Sequence, residues 1–115
     1  MTDLVDIALK YFETFTNKDL EGLKEMFAEN ISLRDWEVEA KGIKDVLNAN
    51  SDIFDSVNHM EVIPLRVWDF ESQEDNVVVA ELKIELDDNE IELVTDILEF
   101  DKNNKIKAIR AYKGN

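Results

Sequence analysis

Three polar side chains stand on apolar stripes of this chain, and each is of a type that can move or hold a proton. In Ile31-Ser32-Leu33-Arg34-Asp35 the alternation sets Ile31, Leu33 and Asp35 on one side, with Ser32 and Arg34 on the other. In Val94-Thr95-Asp96-Ile97-Leu98 it sets Asp96 between Val94 and Leu98, with Phe100 beyond. Tyr11 falls among Leu4, Val5, Ala8, Phe12 and Phe15, which recur at helical spacing. A carboxyl held among apolar groups loses hydration, and its pKa rises. Raised far enough, it stays neutral near pH 7 and donates a hydrogen bond. A second carboxyl, nearer water at a strand end, stays ionised and accepts a proton. A tyrosine hydroxyl on an apolar face donates to an oxyanion. One base and two neutral donors suit one reaction type, removal of a proton next to a carbonyl, with the enolate oxygen held by the donors.

Each residue also has a plainer reading. Asp35 suits the cap of the turn into Trp36-Glu37-Val38-Glu39-Ala40-Lys41-Gly42. Asp96 reads equally as a buried aspartate satisfied by Tyr11 or an amide. A register slip of one residue would turn it to solvent. Tyr11 by itself reads as a core tyrosine. His59, the single histidine, lies beside Asn58 and Met60 with no metal-ligating neighbour, so no metal site is expected. Arg34 and Arg66 read as partners of surface carboxylates.

The elements that must position these groups follow from periodicity. Helix one is predicted over Asp3 to Phe15, with Thr2 as its cap. Asp19 caps a second helix whose stripe is Leu20, Leu23, Met26 and Phe27, and Asn30 ends it. The strand from Ile31 to Asp35 follows, then a turn and a small strand through Val38. Gly42 opens a third helix. Ile43, Val46, Leu47, Ala49, Asn50, Ile53, Phe54 and Val57 cover one broad side of it. Four strands are predicted over Met60 to Phe70, Asn76 to Leu86, Glu90 to Phe100 and Lys105 to Tyr112, separated by turn-forming residues. Pro64, the only proline, marks an edge or a bulge in the first of them. Helices early and strands late argue an α+β domain, with three helices on one face of a strongly curved mixed sheet.

Composition narrows the function classes. The chain of 115 residues suffices for a single domain spanning 1–115. It has no cysteine, which removes disulfides and thiolate chemistry. Its formal net charge of −14 repels phosphate backbones and anionic membranes, so neither nucleic acid nor membrane is an expected partner. The charge also disfavours an anionic substrate. The acidic amphipathic N-terminus lacks the pattern of a signal peptide, and a cytoplasmic location is expected.

The stretch "YFETFTNKDLEGLKEMFAENISLRDW" resembles the start of the bacterial ketosteroid isomerases, within the superfamily of nuclear transport factor 2-like proteins that also includes the SnoaL-like polyketide cyclases. "VTDILEFDKNNKI" resembles their penultimate strand and hairpin. The resemblance implies a cone-shaped fold. It implies Asp35 as general base, and Tyr11 and Asp96 as the oxyanion donors, Asp96 being the protonated aspartate. Trp36 stands where the isomerases carry proline. Trp36, Phe54, Trp68, Leu98 and Phe100 are the expected ligand-binding aromatics and apolar groups.

Two functions remain open at this level. One is a small-molecule enzyme or binding protein, performing cofactor-free proton transfer on a small neutral apolar carbonyl compound as an isomerase or a SnoaL-like cyclase. The other is a non-catalytic dimeric scaffold of the same fold, with aromatics filling the cone. Ile91, Leu93, Thr95 and Ile97 lie opposite Asp96 and are too apolar to face water together, which predicts a homodimer on the outer face of the sheet.

Overall fold

The computed structural model describes residues 3–115. The expected cap at Thr2 lies outside the described residues. Asp3 caps the first helix instead, its side chain accepting from the Val5 amide. Helix α1 runs Leu4–Thr16 and α2 runs Leu20–Met26, with Asp19 accepting from the Gly22 amide as its cap. Helix α3 runs Ile43–Ser56. Gly42 precedes it at φ 87°, a left-handed backbone that suits glycine, and its amide donates to the Ile31 carbonyl.

The strands are β1 (Phe27–Arg34), β2 (Glu39–Lys41), β3 (Met60–Glu71), β4 (Asn76–Leu86), β5 (Ile91–Phe100) and β6 (Ile106–Lys113). They form one sheet in the order β2-β1-β6-β5-β4-β3. The last four make an antiparallel meander, and β1 joins β6 in parallel, so the sheet is mixed. It curves without closing, and the three helices lie on its concave face. Helix α1 packs on β3 and β4, whereas α3 packs on β1 and β2. Leu4, Ala8 and Phe12 of α1 meet Val78, Ala80, Leu82 and Leu98 of the sheet in the core.

Two boundaries differ from the sequence expectation. The second helix ends at Met26 rather than Asn30, and Phe27 is already extended at φ −92°, ψ 141°. Phe27 pairs with Ile106 and is buried, as are Ala28 and Ile31. Sheet pairing and burial therefore outweigh the weak propensity of a short helix to continue. The first strand closes at Arg34 and the small strand opens at Glu39, which leaves Asp35 and Val38 in the turn between them. Pro64 has both features that its type foretold. It sits on the edge strand β3, and the register shifts between Pro64 and Arg66.

Candidate functional site

Tyr11, Asp35 and Asp96 line the same cavity, whose volume is about 260 Å3. The sheet register explains how the two carboxyls meet. Leu33 of β1, Ile109 of β6 and Leu98 of β5 form one row across three strands, all pointing inward and buried. Two residues further along each strand lie Asp35, Ala111 and Asp96, the last two being direct partners. Two strand spacings separate Asp35 from Asp96, roughly 10 Å between backbones. Asp96 also faces Ala80 on β4. Alanines thus flank Asp96 on both sides, which leaves open floor around its carboxyl. Tyr11 enters from above on α1, with Phe12, Phe15 and Phe27 tilted against its ring at centroid distances of 5.4, 6.0 and 6.2 Å.

The electrostatics differ sharply between the groups. Asp96 is 8% exposed, and its pKa is pushed from 3.8 to about 7, first by burial and then by the nearby Asp35 carboxylate. It therefore holds its proton for about half the time near pH 7 and more below. Tyr11 is also buried, and its hydroxyl is raised well above its ordinary value, by burial first and Asp96 second. It stays a donor throughout the physiological range. Asp35 is half-buried just beyond the end of β1. Its Oδ1 accepts from the Glu37 amide at 2.7 Å and the Val38 amide at 2.6 Å, while its own amide donates to the Val38 carbonyl. The turn-cap reading and the cavity-facing reading are therefore compatible. One oxygen fixes the carboxylate, and Oδ2 has no hydrogen bond among the described residues.

The expected ligand-binding set is divided by the structure. Trp36 lines the cavity at its mouth, where the Lys113 ammonium lies 5.7 Å from its ring centroid. Lys113 also pairs with Glu92 at 2.9 Å, and Glu92 is itself a wall residue. Phe54, Leu98 and Phe100 are buried in the core and do not line the cavity. Trp68 is on the opposite, convex face, 49% exposed. The bulge at Leu65 reverses the alternation of β3, so Trp68 pairs with outward Val79 rather than with an inward residue. The cone is therefore not plugged by these rings. His59 is exposed, and its amide donates to Asp87, away from the cavity wall. Arg34 pairs with Glu39 and Arg66 with Glu81, as expected of surface arginines.

Sequence reasoning passed over the apolar lining and Asn50. Phe15, Ile53, Val57, Met60, Ile84 and Val94 supply much of the wall. The acidic members are Asp35, Glu37, Glu92 and Asp96, with no lysine or arginine among the lining residues. This balance favours a neutral ligand over an anion. Among the described residues, no group of histidine, aspartate and glutamate side chains could hold a metal ion.

No family model matches the sequence, and no curated protein matches it by sequence. Solved structures do match in shape. A SnoaL-like family protein from Agrobacterium tumefaciens superposes with a TM-score of 0.81 over 100% of both chains, at 12% identity. A candidate ketosteroid isomerase from Kribbella flavida gives 0.78 over 96% of this chain and 76% of its own, at 16% identity. An NTF2-like protein of unknown function from Cytophaga hutchinsonii gives 0.73 over 99% and 92%, at 12% identity. An α+β sheet wrapped around three helices, matched in this way along its whole length, is the nuclear transport factor 2-like fold, and this chain has it.

Proposed function

We propose that this protein catalyses proton transfer next to a carbonyl of a small, neutral, largely apolar compound. The observation that carries the reading is the shared cavity. A buried carboxyl with a pKa of about 7 and a buried tyrosine hydroxyl line it together with a carboxylate held by its own turn.

The chemistry balances within these groups. The carbonyl oxygen accepts from the Tyr11 hydroxyl and from protonated Asp96. Asp35 removes a proton from the neighbouring carbon through its unengaged Oδ2. The C–H electron pair becomes the carbon–carbon double bond, and the carbonyl π pair moves onto oxygen as the enolate. The two donors hold that charge. As the oxygen pair re-forms the carbonyl, Asp35 delivers the proton to a conjugated carbon, which gives isomerisation, or first swaps it with solvent and protonates the original carbon, which gives exchange; neither needs external redox. Asp96 donates only while protonated, so its raised pKa is a requirement of the step.

A second reading is favoured by the convex face. Leu65, Ile91, Leu93 and Tyr112 are about half exposed there, which suits a dimeric binding domain without chemistry. The unplugged cavity, apolar except for a few polar groups that include Tyr11, Asp35 and Asp96, supports the enzyme instead.

A planar phenol mimics the enolate and tests the oxyanion site directly. Wild-type protein is expected to bind a naphthol with a perturbed fluorescence spectrum. Tyr11→Phe and Asp96→Leu should each weaken binding by about tenfold or more. Equal affinity in all three proteins would overturn the assignment of the donors.

A further inference from the structure

Helix α3 buries Val46, Asn50 and Phe54, one turn apart, on the face it turns to the sheet. Two of these are apolar and the third is a carboxamide. Asn50 is 2% exposed, and its Nδ2 has no hydrogen-bond partner among the described residues. A carboxamide carries two donors and an acceptor, and folded proteins seldom leave such a group buried and unpaired. It is the single buried side-chain nitrogen or oxygen left so among the described residues. Asn50 is also part of the cavity wall, with Ile53 and Ser56 of the same helix.

Its placement complements the donors already described. Helix α3 packs on β1 and β2, and α1 packs on β3 and β4. Asn50 and Tyr11 reach the cavity from different helices, which meet where the rings of Phe15 and Phe54 stand edge to face at 4.9 Å. A ligand held by Tyr11 and Asp96 can turn a second polar group toward Asn50, which lines the same cavity. The cavity volume limits the length of that ligand. A cavity of about 150 Å3 holds one benzene ring. The 260 Å3 here suits a body of one or two rings rather than four.

We propose that Asn50 is a specificity-determining residue that hydrogen-bonds a second oxygen, hydroxyl or carbonyl, on a one- or two-ring substrate whose reacting carbonyl sits at Tyr11 and Asp96. The substrate class is therefore a bifunctional oxygenated compound rather than a simple ketone. This rests on Tyr11 and Asp96 being the oxyanion donors, and the test separates the two claims.

The experiment compares a naphthol with dihydroxynaphthalenes that carry the second hydroxyl at successive positions of the distal ring. Affinities are measured by fluorescence titration in wild type, Asn50→Leu and Asn50→Ala. One isomer is expected to bind wild type about tenfold tighter than the naphthol. Both variants should lose that gain while keeping the naphthol affinity. Asn50→Leu should also melt a few degrees higher without ligand, because an apolar group replaces an unpaired amide of similar size. Asn50→Ala repeats the binding test with a smaller side chain. Naphthol binding with no isomer preferred, or a preference that survives both variants, would overturn the role of Asn50 and leave the donors standing. Failure of every probe to bind wild type would overturn both. A fall in melting temperature for Asn50→Leu would show that the amide has a structural partner, and would also overturn the proposal.

Discussion

Asp96→Asn should remove a pH dependence of stability that the wild type carries. Asp96 binds its proton more tightly when folded, at about 7 against 3.8 for an unperturbed aspartate. Its contribution to stability is complete below the unfolded value, is lost as pH rises through the folded one, and is flat above. The whole span links roughly 4 kcal/mol to this one proton, at 1.36 kcal/mol for each tenfold change. Between pH 5 and pH 8 the wild type should lose about 2.5 kcal/mol that the asparagine variant does not. The variant should accordingly be the more stable protein at pH 8. Urea unfolding of both proteins at the two pH values gives the double difference. Slopes from the many surface carboxylates are common to both and cancel. With urea m-values of about 1–3 kcal/mol/M, the effect is a relative midpoint shift of roughly 0.8–2.5 M. Equal pH dependence in the two proteins would refute the claim that Asp96 is buried with a raised pKa.

Further expectations follow from the same geometry. Proton-transfer activity should fall as pH rises through about 7, because ionised Asp96 no longer donates, and a profile flat from pH 6 to 9 would count against that role. Tyr11→Phe should lower the rate without abolishing it, by about 10–10³-fold, since Asp96 still holds the oxyanion; kcat measured on any active ketone checks this. The half-exposed apolar groups of the convex face, Leu65, Ile91, Leu93 and Tyr112, should be covered in a homodimer. Sedimentation equilibrium should show a dimer at micromolar concentration and a monomer for Leu93→Asp, and a monomeric wild type would contradict it.

The fold was legible because each element announced itself in period and punctuation. Asn76 to Leu86 is a strand to the residue, and Gly42 opens the third helix where a positive φ is needed. Tyr11, Asp35 and Asp96 were visible because a polar group on an apolar stripe breaks the pattern. Asn50 breaks the pattern of α3 in the same way, among Val46, Leu47, Ile53 and Phe54, yet it was counted with the helix's broad apolar side and not as a site residue. Trp68 was misplaced because alternation cannot be carried across a bulge. Pro64 announced the irregularity, but which residue is extra depends on pairing with β4. The early start of β1 at Phe27 likewise depends on a partner, Ile106, that lies far along the chain.

In the proposed reaction Asp35 removes a proton from carbon while Tyr11 and Asp96 hold the enolate. NMR-detected deuterium exchange tests it most directly, using a panel of neutral ketones that includes β,γ-unsaturated ones, with wild type and Asp35→Asn side by side. Asparagine keeps an oxygen for the Glu37 and Val38 amides, so the turn and the fold should persist. Exchange next to the carbonyl is expected in the wild type, reduced by about 10²–10⁴-fold in the variant. Exchange that survives in Asp35→Asn, or no exchange with any ketone in the wild type, would contradict it.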